Sequence, residues 1–271
     1  MELDEAIALI VSGIDEEPWV VQRGLKSIVA DLRERPFLSE EGYRRRIDWA
    51  LMNAERMRVM GREFVGLQEE LQAAGFFVDG LQELQRPGVG GKTVLPILFK
   101  WLPLLQHKDL KQELVGVLGE KWAAPESIGP LLEEFRRNNS ANDPGDNNTR
   151  WFVANSLCRV VDHRWRNDIL DLIRDPCNES ARFMLVKSLS RMRKSSAELI
   201  PDLIEFVESD AGDLYIPAAR LLGRWKVAEA LPRVQYLLAT PEARPAPPAP
   251  GAWASDFESA ELKKALKALG G

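Results

Sequence analysis

Apolar residues recur along this chain at spacings of three and four, the period of a helix with one buried face. Residues 3 to 14 and 18 to 34 predict a first pair of helices, with Pro18 suited to an opening helical turn. A longer segment follows, from Ser39 as its N-cap to about Ala74. Ile47, Ala50, Ala54, Met57, Phe64 and Leu71 trace one stripe along it, and Gly61 and Gly66 weaken its middle. The most apolar run, Thr93 to Leu105, is interrupted by Lys100 and falls short of the roughly 20 apolar residues that cross a bilayer. It predicts a buried helix capped by Thr93 and holding Pro96.

From that helix onward one pattern repeats: an apolar helix with an early proline, a turn, then a helix ending in Leu plus a small residue. Pro96, Pro130, Asn167, Pro201 and Pro232 hold equivalent places in the first helices, at steps of 34, 37, 34 and 31 residues. The second helices carry Leu118-Gly119, Leu157-Cys158, Leu189-Ser190 and Leu222-Gly223, with Leu266 a weaker fifth. Two independent markers thus share one period. A proline inside a helix removes a backbone hydrogen bond and bends the rod, and the small residue lets neighbouring helices approach. Ser195 with Glu198 reads as a capping box.

An Asp at the turn (Asp109, Asp175, Asp210) and a basic residue seven before the Leu-small pair (Lys111, Arg150, Arg182) complete the pattern. Together these features resemble HEAT repeats, including the bacterial repeats similar to those of phycobilisome lyases, over residues 93 to 270. Tyr215 and Asn167 depart from the pattern, and the first 90 residues match it poorly. The resemblance implies an all-α, right-handed α-α superhelical solenoid of about five helical pairs over residues 91 to 271. Residues 1 to 90 are then an irregular helical cap, the alternative being a dimerising hairpin. Asn/Asp-rich and Pro/Ala-rich stretches near 138 to 148 and 240 to 254 predict loop insertions between paired helices.

Composition narrows the function. A net charge of −5 argues against wholesale coating of nucleic acid or anionic membrane. Two cysteines, Cys158 and Cys177, are too few for a disulfide framework, and the acidic N-terminus lacks the bases of a signal peptide. A cytoplasmic protein is expected. Charge is unevenly spread: residues 136 to 194 hold 12 Lys and Arg against 7 Asp and Glu, whereas residues 1 to 90 hold 11 against 17.

The motif RPGVGGKT at 86 to 93 carries the closing half of a phosphate-binding loop, but Arg86 stands where the opening glycine is needed and the left flank is helical in character. No nucleotide is expected. His107 and His163 lie at turns with no Cys or carboxylate at metal-ligand spacing, so both read as solvated and no cofactor is implied. Trp151, Trp165 and Trp225 sit near basic residues, an arrangement with some likeness to HEAT-like DNA glycosylases, although no Trp/Asp catalytic set aligns. The patterned surface feature is a ladder of cations flanking the marker leucines: Arg159, Lys187, Arg191, Arg220 and Arg224, with Asn155 in the remaining place. In HEAT repeats such second helices line the concave binding surface. The expected function is a non-catalytic adaptor that holds an acidic protein partner there. Nucleic-acid backbone binding, with or without base excision, is the alternative, and self-assembly through residues 40 to 74 a third.

Overall fold

A computed structural model describes residues 1–17, 19–34, 39–138, 144–178, 180–209, 212–244 and 255–270. Pro18, Asp210 and most of the two expected insertions lie outside them. Among the described residues there is no strand, and thirteen α-helices follow one another. Two compact units divide the chain, Met1–Val117 and Leu118–Gly271. This division of contacts comes later than residue 90, where the sequence becomes regular.

In the first unit, α1 (Leu3–Val11), α2 (Trp19–Glu34) and α3 (Glu40–Ala73) close around Ile7, Ile10, Leu25, Leu32, Ala50 and Ala54. The first helix stops short of the expected residue 14, and Ile14–Glu16 forms a separate 3₁₀ turn. The stripe read along α3 is buried at Ile47, Ala50, Ala54, Phe64 and Leu71, with Met57 half-buried. Its start is capped as expected, the Ser39 hydroxyl accepting from the Gly42 N–H at 3.1 Å. Its end is a Schellman turn: Gly75 takes φ +88°, and the Phe76 N–H donates to the Leu71 carbonyl at 2.8 Å. Gly66 does not interrupt the helix. A Cβ there would lie 2.8 Å from the Trp101 ring, so its small size admits α4 (Leu95–Trp101).

Thr93 does not cap α4. It lies within a 3₁₀ turn, Lys92–Val94, and Val94 stands at the N-cap without a side-chain bond. The start of α5 (Lys108–Leu118) is instead tied to α3, where the Glu63 carboxylate accepts from the backbone N–H groups of Gln106 and His107 at 3.0 and 2.9 Å. This contact corrects the reading of His107 as a solvated turn residue. The imidazole is buried, and desolvation lowers its pKa; Asp109 opposes, the Arg56 charge acts with the burial, and Glu63 and the Arg56 backbone oppose.

The second unit holds four helical pairs: α6 (Ile128–Arg137) with α7 (Pro144–Val160), α8 (Arg166–Arg174) with α9 (Ala181–Ser188), α10 (Ser196–Glu208) with α11 (Tyr215–Trp225), and α12 (Leu231–Ala239) with α13 (Ser255–Leu269). The second helices also touch in series, α7 on α9, α9 on α11 and α11 on α13. Leu157, Leu189 and Leu222 are fully buried at these contacts; in α13 Leu262 is buried and Leu266 only partly, so the last copy keeps the apolar contact at an earlier residue.

The prolines act differently from the sequence reading. Pro96, Pro130 and Pro232 fall in the first turn of their helices, as Asn167 does in α8, where no N–H has an intrahelical partner to lose. They mark helix starts rather than bends. Pro201 alone of this set stands inside a helix, because α10 begins five residues before it. Ser195 makes no capping bond, since it closes a 3₁₀ turn instead.

Both expected insertions shrink. Residues 144 to 149 are the opening turns of α7, begun by Pro144. Arg244 is packed rather than part of a solvated arm: its Nε donates to the Leu237 carbonyl at 2.9 Å, its Nη1 donates to the Ser259 hydroxyl at 3.1 Å, and Glu258 lies 3.6 Å away.

The small residue of the marker pair has its expected role in α11. A Cβ on Gly223 would stand 2.9 Å from the Ala265 carbonyl oxygen and 3.2 Å from the Ala265 Cα, both backbone atoms of α13. Alanine for helical glycine normally stabilises by up to about 1 kcal/mol. Gly223→Ala should reverse that sign and destabilise by about 1–3 kcal/mol through overpacking. Gly129→Ala in α6, whose new methyl would meet only Trp165 at 3.8 Å, should stabilise or leave stability unchanged. Urea unfolding of the two variants checks this, and equal shifts would refute the close approach.

Candidate functional site

Three of the five cations of the ladder converge. Lys187 from α9 and Arg220 and Arg224 from α11 line a groove of about 520 Å³ in the second unit. Asn155 of α7 and Ser190 add polar groups to its wall. Helical spacing explains the grouping: Arg220 and Arg224 are four apart on one face of α11, and the packing of α9 on α11 brings Lys187 beside them.

The remaining two cations are committed within the fold. Arg159 donates from Nη1 to the Glu120 carboxylate at 3.0 Å, and Arg191 donates from Nε to the Val161 carbonyl at 3.2 Å, just past the end of α7. Neither lines the groove. Among the described residues Glu120 and Glu261 are thus the acids that meet the ladder.

Within the groove the cations differ. Arg220 pairs with Glu261 of α13 at 3.1 Å, and Glu261 also accepts from Lys264 at 2.5 Å, so that carboxylate is satisfied from two sides. Lys187 lies 3.9 Å from the Met184 sulfur and 5.9 Å from the centre of the Phe183 ring, a cation–π distance. Among the described residues neither Lys187 nor Arg224 has a carboxylate partner, and both are exposed. The site therefore offers two uncompensated positive charges beside one internally neutralised pair.

Sequence reasoning missed the apolar part of the site. Phe183 and Ile216 are nearly buried beneath it, and Trp151 and Phe257 stand partly exposed at its sides. The signal for Trp151 was present, as a tryptophan among basic residues; Phe257 belongs to α13, where the repeat is irregular. Cys158 lies nearby without reactive character. Its thiol donates to the Met184 carbonyl at 2.8 Å, and burial pushes its pKa up to about 12 against the opposing pull of Lys187, Arg159 and Arg191.

The repeated basic residue of the sequence pattern has a structural use. Arg182 donates from Nε to the Ile173 carbonyl at 2.6 Å, at the end of α8. Arg150, almost wholly buried, donates from Nη1 to the Cys177 carbonyl at 2.9 Å and to the Asn178 side chain at 3.2 Å. Asp175 accepts from the Cys177 N–H at 2.9 Å and shapes the same turn.

Elsewhere, His163 is exposed, and among the described residues no three His, Cys, Asp or Glu side chains group as a metal site. The RPGVGGKT stretch has 3₁₀ turns on both flanks, Leu81–Gln85 and Lys92–Val94. No helix among the described residues is long and apolar enough to cross a membrane. Comparison with protein-family models, curated proteins and solved structures finds no match.

The two kinds of cation separate by stability. Arg191→Ala removes a donor from the carbonyl end of α7 and should cost about 0.5–1 kcal/mol. Arg224→Ala should stay within about 0.5 kcal/mol of the parent protein. Thermal unfolding of both variants decides this; an equal loss would mean that Arg224 is also a structural residue.

His107 supplies a pH test. Its folded pKa lies below the ordinary 6.5, so the unfolded chain binds the proton more readily. The contribution to stability is complete above 6.5 and is lost as pH falls through the folded value. His107→Gln should therefore show a smaller loss of stability than the parent protein between about pH 7 and 5, measured as urea midpoints. Identical slopes would contradict the burial of this ring.

Proposed function

We propose that the second unit is a HEAT-like helical repeat region, forming a right-handed superhelix, and that the protein is a non-catalytic adaptor which binds an acidic segment of another protein. The convergence of Lys187, Arg220 and Arg224 on one groove carries this reading, because residues distant in sequence are brought to one surface by the repeat packing. Solenoid repeats characteristically use extended side-chain surfaces of this kind for partners. The serial packing of α7, α9, α11 and α13 and the recurring arginine staples of α7 and α9 support the repeat assignment.

Arg220 and Glu261 position each other, so Lys187 and Arg224 are the cations a partner would meet first. A guanidinium adds planar, two-pronged contact with a carboxylate, and a lysine adds a point charge. Nucleic-acid backbone binding uses the same charges and is distinguished by its salt dependence.

The test is affinity capture from cell extract with the full chain and with the Lys187→Glu, Arg224→Glu double variant. The expected outcome is that partners held by the parent protein are lost by the variant, with helicity and melting temperature unchanged. Equal capture by the variant would refute the assignment. Duplex DNA binding that weakens steeply with rising salt would replace it with the nucleic-acid reading.

A further inference from the structure

The adaptor reading names a charge but not the rest of the ligand, and the groove contains more than charge. Seven of its thirteen lining residues are apolar. Phe183, Met184, Ile216 and Leu221 form a floor from which water is nearly excluded, each less than 7% exposed. Trp151 and Phe257 rise partly exposed at its sides. A bare polyanion would use the cations and make no contact with this apolar surface.

The cations share the lining with this apolar surface. Lys187 is held over the Phe183 ring at 5.9 Å, which places its ammonium directly beside apolar surface. Arg224 is one helical turn beyond Arg220 on α11. Among the described residues Glu261 is the one carboxylate of the lining, and its pairing with Arg220 and Lys264 limits its repulsion of an incoming anion. A ligand matching this surface needs an apolar group and carboxylates within a few ångströms of each other. A groove of about 520 Å³ falls in the range of small-ligand pockets and accommodates one or two large side chains.

We infer that the groove takes an acidic peptide segment bearing a large apolar side chain, which enters over Phe183, Ile216 and Leu221 while neighbouring carboxylates meet Lys187 and Arg224. The inference rests on the adaptor reading above and gives it a chemical specificity. Single-stranded nucleic acid is the poorer match, because it needs successive open aromatic faces beside a track of cations, whereas Trp151 and Phe257 are only partly exposed and the Glu261 carboxylate shares the lining.

Fluorescence anisotropy with the full chain tests this. The probes are a fluorescein-labelled Glu-Glu-Leu-Trp-Glu-Glu peptide, the same peptide with Ser in place of Leu and Trp, a glutamate-only peptide of equal charge, and an oligothymidylate. The apolar-bearing peptide should bind about tenfold or more tighter than the serine peptide, the factor expected from burying one large apolar side chain. The Lys187→Gln, Arg224→Gln double variant should lose that binding. Equal binding of the serine or glutamate-only peptide would overturn the apolar requirement while leaving the acidic-partner reading in place. Binding of none of the peptides would overturn both. Tighter binding of oligothymidylate would overturn both in favour of nucleic acid.

Discussion

Short helices leave nearly as many backbone groups without an internal partner as with one, and this chain has several of them: α4 has 7 residues, and α1, α8 and α12 have 9 each. Each helix end exposes carbonyls that must find donors wherever packing removes water. Arginine side chains from a neighbouring element supply many of these donors. Arg58 reaches the Ile10 and Ser12 carbonyls at the end of α1, and Arg46 the Asp31 carbonyl in the last turn of α2. Arg191, Arg182, Arg233 and Arg244 do the same for α7, α8, α10 and α12. A cation at a helix C-terminus also opposes the partial negative charge there. Each such arginine fixes the end of one helix against the side of another, so the capping requirement and the packing arrangement are met by one contact.

This constraint limits how a charge count can be read. The excess of basic residues between 136 and 194 pointed to a charged surface, but Arg150, Arg182 and Arg191 each donate to backbone carbonyls and Arg159 is paired with Glu120. An arginine at a helix end is a multiple hydrogen-bond donor before it is a surface charge. What remains for binding is the smaller set that, among the described residues, makes no bond to a backbone carbonyl and has no carboxylate partner. Lys187 and Arg224 are in that set, and Arg220 is half in it through Glu261.

The regular part of the fold was legible because period alone determines which residues face inward. Leu157, Leu189 and Leu222 are buried, and Ser39 caps α3, as the pattern requires. Local cap chemistry was less legible. Thr93 and Ser195 have the right side chains, yet 3₁₀ turns occupy their positions, and a remote carboxylate, Glu63, fixes the start of α5. His107 likewise has nothing in its neighbourhood of sequence to announce burial; the residues that face it, Glu63 and Arg56, come from a helix more than forty positions earlier. In the site, the cations were readable from their spacing around the marker leucine, whereas Phe257 and Glu261 were not, because α13 follows the repeat only in part.

The groove's position follows from the same economy of contacts. α11 is packed by α9, α10 and α13, and eight of its eleven residues are buried. Its three described unburied positions, Arg220, Arg224 and Trp225, include both of its arginines. A helix so enclosed has little surface with which to be polar, and what it has is directed to one side by the four-residue spacing. The Gly223 contact with the α13 backbone draws α13 close enough for Glu261 to reach Arg220. Backbone proximity therefore sets the electrostatics: it neutralises one arginine, while the other, one turn onward, has no carboxylate partner among the described residues and lies beside an apolar floor.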